Sequence, residues 1–361
     1  SGTYYKQSIL FLQYNNPMRL HNSRFFRRDL FSLAQRPLFQ RAVCNGCSVV
    51  KKGAEKMNGK ASITSYLRGN LGNQLFVYAT VRQMQEKYFA DQPCRLIFDN
   101  EKYIISNRLQ NFKLVGNLCF CPVRLPLVKR KIKYYMFDRT RCSGIQYKHP
   151  QEFFEFTQKR QPILNKYGFF LCEDGYIPLP EKMPCHIIAD GFFQSEKYFS
   201  KIRPKLLAEL TPSEPLLPQN FEIVRRIEES ESICLTVRMG DYIGNKVHDV
   251  CTADYFKRAI SIAKQKCENG QVFLFSDDVK AAKEMLGLGE DTVLEEGNNP
   301  DYEKLRIMSK CKHFILSNSS FSWWVQYLSH NRNKMVIAPD HWYNAPIPCD
   351  IYQNEWIVLS V

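Results

Sequence analysis

Between residues 219 and 339 the chain alternates short, nearly wholly apolar runs with amphipathic stretches, and this alternation restricts the fold more than any other feature. Strands are predicted at 233–238, 271–276, 292–295, 313–318 and 334–339, and helices at 219–230, 253–267, 278–286, 301–311 and 320–330. Runs such as QVFLFS and KMVIAP are apolar almost throughout, which suits strands buried on both faces. A strand, a crossover helix and a second strand require a parallel sheet covered by helices. Thr252 stands where a helix cap belongs. The second half is therefore read as a Rossmann-like α/β domain.

The first half opens in the same manner. ITSYL (63–67) reads as a strand, RGNLGN (68–73) as a glycine turn, 74–89 as a helix and RLIFD (95–99) as a second strand. Residues 100–190 carry many aromatic and basic residues without a clear period. A helix is predicted at 195–210 despite Pro204, and TPSEPLLP (211–218) reads as a linker. Residues 1–56 lack periodicity and read as a basic, poorly ordered segment. The organisation expected is thus 1–56, an N-terminal α/β lobe at 57–212, and a C-terminal Rossmann-like lobe at 213–361.

Charge bears on the partner. The formal net charge is +14, which raises nucleic acid as a rival ligand. Residues 1–60, however, hold eleven Lys/Arg against two Asp/Glu, so most of the excess lies outside the orderly part of the chain. No run of about 18 apolar residues is present. Thirteen scattered cysteines do not resemble a small disulfide scaffold. Cys44 and Cys47 form a single CxxC without a second pair, so a zinc site is not expected there. Reduced cysteines in a cytoplasmic protein are the reading adopted.

Ligands of open α/β sheets bind beyond the carboxyl ends of the strands. Collecting those ends gives Arg238 with Gly240 and Asp241, then Asp277 and Asp278, then Asn318, Ser319, Ser320 and Ser322, and finally Asp340 and His341. Arg238 supplies a permanent, bidentate cation for phosphate. The serines stand at a helix start, where hydroxyls and free N–H groups favour an anion. Carboxylates repel phosphate, so Asp277 and Asp278 suit another part of the ligand, and a carboxylate can read the N–H edge of guanine. Together these point to a guanine nucleoside diphosphate on the C-terminal sheet edge. The plainer readings are a surface salt bridge for Arg238, helix caps for Asp278 and the Ser/Asn group, and core for Trp323 and Trp324. RGNLGN has neither a GxGxxG match nor a P-loop lysine.

The series RGNLGNQLFVYA (68–79), LTVRMGDY (235–242), FLFSDD (273–278), MSKCKHFILSNSSFSWW (308–324) and VIAPDHWY (336–343) resembles the motif order of α-1,2-fucosyltransferases, glycosyltransferase family 11. The resemblance implies two Rossmann-like lobes in a GT-B-type fold. It also implies inverting transfer of fucose from GDP-β-L-fucose to O-2 of galactose in a glycan, with no metal and no other cofactor. Arg238 would hold the donor phosphates, Asp241 would be the candidate base or loop anchor, and Asp277 would read guanine. Gly69, Gly72, Asn73 and Gln74 would face donor or acceptor. The family's usual His-Val-Arg-Arg-Gly-Asp is altered, with Thr236 in place of His and Met239 in place of the second Arg. No nucleic-acid partner is expected. A cytoplasmic site is, with peripheral membrane contact through a lipid-linked acceptor; the alternative is the Golgi lumen behind a removed anchor.

Overall fold

A computed structural model describes residues 61–361; the 1–56 segment and the Cys44–Cys47 pair lie outside the described residues. Strand β1 (Ala61–Tyr66) runs through Gly69, at φ +57°, into helix α1 (Leu71–Phe89). The helix starts earlier than its apolar period shows, so Gly72 and Asn73 sit in its first turn rather than in a glycine turn. β2 (Cys94–Asp99) follows.

The span that lacked a period is structured. It contains β3 (Asn117–Phe120), α2 (Leu127–Lys133), one turn of π-helix at Tyr134–Asp138, α3 (Arg139–Cys142), α4 (Ile145–Lys148), α5 (Pro150–Lys166), β4 (Phe169–Cys172) and β5 (His186–Gly191). β3 and β4 are only four residues long, too short to display a period of two. The predicted 195–210 helix is instead two single 3₁₀ turns, Glu196–Tyr198 and Ser200–Ile202, followed by α6 (Arg203–Glu209). Pro204 explains the break, because it has no N–H to donate and fits only a first helical turn.

The second half keeps the predicted alternation, with most elements shorter and β6 and β7 a residue longer: α7 (Phe221–Glu229), β6 (Glu231–Val237), α8 (Ala253–Lys266), β7 (Gly270–Ser276), α9 (Val279–Leu286), β8 (Val293–Leu294), α10 (Asp301–Ser309), β9 (His313–Ile315), α11 (Ser320–Tyr327) and β10 (Val336–Pro339). A short edge strand, β11 (Ile357–Leu359), was not foreseen. The Thr252 hydroxyl caps α8 by accepting the Tyr255 N–H at 3.1 Å.

The strands form two parallel sheets, ordered β3-β2-β1-β5-β4 and β11-β10-β9-β6-β7-β8. In the second sheet the chain winds outward from β6 to β8, then restarts beside β6 at β9 and winds the other way. This is the doubly wound Rossmann order, and its switch point lies between β6 and β9. The matching break in the first sheet lies between β1 and β5.

One hydrophobic cluster joins the two lobes. Phe76 of α1 packs on Trp323 and Trp324 of α11, with ring centroids 4.7 and 5.1 Å apart. Both tryptophans are fully buried, so they are core rather than a sugar platform. A Cβ on Gly72 would lie 2.5 Å from the Phe321 nitrogen and 2.6 Å from the Ser320 carbonyl carbon. Helices α1 and α11 therefore touch backbone to backbone, and the carboxyl edges of the two sheets face each other.

Candidate active site

Arg238 is the first residue beyond β6, at the switch point. Its guanidinium pairs with Asp241, lies 3.2 Å from Asp277 and sits over the Tyr242 ring at 5.0 Å. About a third of the side chain (31%) is exposed, while its Nε is buried without a partner. The cation is thus held in place by two carboxylates and an aromatic face, yet open to an incoming anion.

Asp277 is engaged by the loop that follows β6. One carboxylate oxygen accepts the Met239 N–H at 2.8 Å and the other accepts the Gly240 N–H at 3.0 Å. Both oxygens are turned to the loop after β6. The loop-anchoring role considered for Asp241 is therefore filled by Asp277, and Asp241 instead grips the guanidinium. Asp278 accepts the Ala281 N–H at 3.0 Å and is the N-cap of α9, which gives it a local structural task.

The Ser/Asn group divides in two. Ser319 caps α11 by accepting the Phe321 N–H at 3.3 Å, and Ser320 is partly exposed beside Gly72. Asn318 donates to the carbonyls of His248 and Trp342, both at 3.0 Å, and so ties the loops after β6 and β10 to the end of β9. Ser322 is buried and shares a 3.1 Å hydrogen bond with Ser317. Ser319 and Ser320 remain near the switch point, while Asn318 and Ser322 build its frame. Thr236 does likewise: its hydroxyl donates to the Ile315 carbonyl at 3.1 Å and accepts the Ser317 N–H at 3.0 Å, clamping β6 to β9. The Met239 side chain packs on the second lobe's own core.

Across the cleft, Gln74 is wholly buried and holds loops: it donates to the Gly69 and Ser106 carbonyls at 3.1 and 2.9 Å and accepts the Arg108 N–H at 3.0 Å. Asn73 is more exposed. Its oxygen accepts from Gln194 at 2.8 Å, and Gln194 in turn accepts the Tyr343 hydroxyl at 3.1 Å. Tyr343 meets His248 at 5.6 Å between centroids, and His248 meets Tyr242 at 5.3 Å. A continuous contact path therefore runs from Asn73 in the first lobe to Arg238 in the second. Burial pushes the His248 pKa below the ordinary imidazole value, which keeps the ring neutral at pH 7, and its Nδ1 is buried without a partner. Gln194, His248 and Tyr343 were not singled out from sequence. Only Tyr343, inside VIAPDHWY, carried any signal.

The first sheet's carboxyl edge holds a buried charge cluster. Arg68 pairs with Glu173 at 2.6 Å, with Asp190 and with the Tyr103 hydroxyl at 2.9 Å. Lys102 and Lys133 reach Asp190 at 3.1 and 3.2 Å, and Arg141 reaches Glu173 at 3.5 Å. Burial opposes a charge on Asp190, but Arg68, Lys133 and Lys102 hold its carboxyl well below the usual range. Beside it, burial and then the Glu173 charge push the Asp174 carboxyl up to about 7. The Asp174 turn meets the other lobe, since a Cβ on Gly175 would lie 3.1 Å from the Pro348 side chain. A separate cavity of about 560 Å³ lies beside the interlobe linker, lined among others by Leu210, Pro212 and Arg306. It includes none of these residues.

The chain matches the model of Glycosyl transferase family 11 over residues 164–360 and belongs to that family. An alpha-1,2-colitosyltransferase of Escherichia coli is 34% identical over 183 residues, 47% of this chain and 61% of the relative. The O-antigen biosynthesis glycosyltransferase WbnK of E. coli is 25% identical over 323 residues, 82% of this chain and 99% of the relative. A galactoside 2-alpha-L-fucosyltransferase of Caenorhabditis elegans is 25% identical over 219 residues, 48% of this chain and 53% of the relative. The chain thus spans about three fifths of the first relative's length and about half of the third's.

Proposed function

We propose that the chain transfers L-fucose from GDP-β-L-fucose to the 2-hydroxyl of a galactose residue in a glycan, with inversion. The observation that carries this is Arg238, partly open at the β6/β9 switch point beside the α11 N-terminus. As the fucosyl–phosphate bond breaks, charge develops on the leaving diphosphate. Arg238, with the N–H groups that begin α11, would stabilise it. The Asn73–Gln194–Tyr343 link would set the spacing between the lobes that hold donor and acceptor. The acceptor hydroxyl must lose a proton; Asp241 is the first candidate base, and Asp174, whose carboxyl burial raises to about 7, is the second. Asp241 pairs with Arg238 and is largely exposed, whereas a carboxyl near 7 can take a proton at working pH.

A second reading, favoured by the colitosyltransferase relative, is the same transfer with colitose as the sugar. The O-antigen relative supports action on bacterial surface glycans. All eleven described cysteines are free, which fits work at the cytoplasmic face of a membrane. Thermal-shift titration with GDP, UDP and ADP tests the donor class. GDP alone should raise Tm; stabilisation by UDP instead would remove the guanine assignment.

A further inference from the structure

From Leu127 to Cys142 the chain is helical almost without interruption, because the π-turn at Tyr134–Asp138 joins α2 to α3. One side is fixed to the first lobe. Ile132, Met136 and Phe137 pack into its core, and buried Lys133 reaches Asp138 at 2.5 Å and Asp190 at 3.2 Å. The other side is unusual for a solvent face. Leu127, Val128 and Tyr135 are 55%, 68% and 64% exposed, and Tyr134 and nearby Tyr147 are exposed as well. Between them stand Arg124, Arg130, Lys131, Arg139 and Lys148, all exposed and none in an ion pair among the described residues. Residues 121–149 hold eight Lys/Arg and one Asp/Glu, and that one, Asp138, is engaged by Lys133.

We propose that this face is a docking surface for an anionic lipid bilayer. Two properties coincide there. Leu127, Val128 and the tyrosines suit the acyl–headgroup boundary, where an amphipathic ring or aliphatic side chain gains by leaving water. The cations complement acidic headgroups. A nucleic acid would use the cations but leave Leu127 and Val128 in water. The chain's own 1–60 segment carries eleven Lys/Arg against two Asp/Glu, so it shares the sign of the face and is a poor occupant. The Lys133–Asp190 pair anchors the helix at the carboxyl edge of the first sheet. The proposal stands whichever sugar the enzyme transfers.

Vesicle co-flotation of the full chain tests it, using neutral phosphatidylcholine vesicles and vesicles containing phosphatidylglycerol. Binding should need the anionic lipid. Arg130→Gln with Lys131→Gln should weaken it by about 30-fold, at the usual contribution of each surface cation. Leu127→Ser with Tyr135→Ser should also weaken it, and both variants should keep the parent's Tm. Undiminished vesicle binding by both variants, equal binding to neutral vesicles, or binding to RNA with none to vesicles would overturn the proposal.

Discussion

Arg238 concentrates the account at the residue scale. Its cation is held by Asp241 and Asp277 and remains about a third exposed to an incoming diphosphate. Arg238→Ala should lower turnover by about 10²–10³-fold with an unchanged far-UV spectrum; near-normal turnover would remove the phosphate role. Asp277 carries a sharper test. Because its oxygens hold the Met239 and Gly240 N–H groups, Asp277→Ala should weaken GDP and IDP alike by loosening the loop. Loss of preference for GDP over IDP alone would restore the guanine role first expected for it. For Asp174 the pH dependence has a definite sign. A base with a pKa of about 7 is active only when deprotonated, so kcat/KM should rise with pH through about 7, and Asp174→Asn should lose both rate and rise. The folded carboxyl also binds its proton more tightly than the unfolded one, whose pKa is about 3.9. Stability attributable to this group should therefore fall as pH rises from about 4 to about 7, and the Asn variant should flatten that slope in urea melts.

At the scale of elements, the meeting of α1 and α11 fixes the distance between the lobes. Gly72 is required there because a methyl group would press on the backbone of Ser320 and Phe321. Gly72→Ala should destabilise the fold by about 1–3 kcal/mol and raise KM by splaying the cleft; unchanged Tm and KM would show that the crossing tolerates the extra carbon. This contact also shows what the sequence could convey. Strands β6, β7, β9 and β10 are buried on both faces, so their apolar runs were plain, and with them the sheet edge carrying Arg238. The glycine loop was visible, but the partner of Gly72 was not, because α11 is distant in sequence. β3, β4 and β11 are too short for a period. The helical run from Leu127 has apolar residues on its outer side, which erases the contrast that reveals an amphipathic helix. The environments of Asp174 and His248 arise from burial and neighbours, which a single sequence does not display. Asn318, Ser322 and Gln74 were expected to contact the substrates, and their hydrogen bonds go to the frame of the cleft.

For the whole molecule, the excess of positive charge separates into two places, the 1–60 segment and the face around Arg130 and Lys131. The cleft itself is nearly balanced, since Arg238 and Arg68 are each surrounded by carboxylates. This weakens a nucleic-acid reading of the +14 net charge. The central claim is that the paired sheet edges form a GDP-fucose-dependent transfer site. Incubating the purified chain with GDP-fucose and a panel of galactosides, and assigning product linkage by NMR, tests this most directly. The expected result is release of GDP and fucose joined α-1,2 to galactose. GDP-fucose left intact while another nucleotide sugar is consumed, or fucose joined through a different hydroxyl, would contradict it.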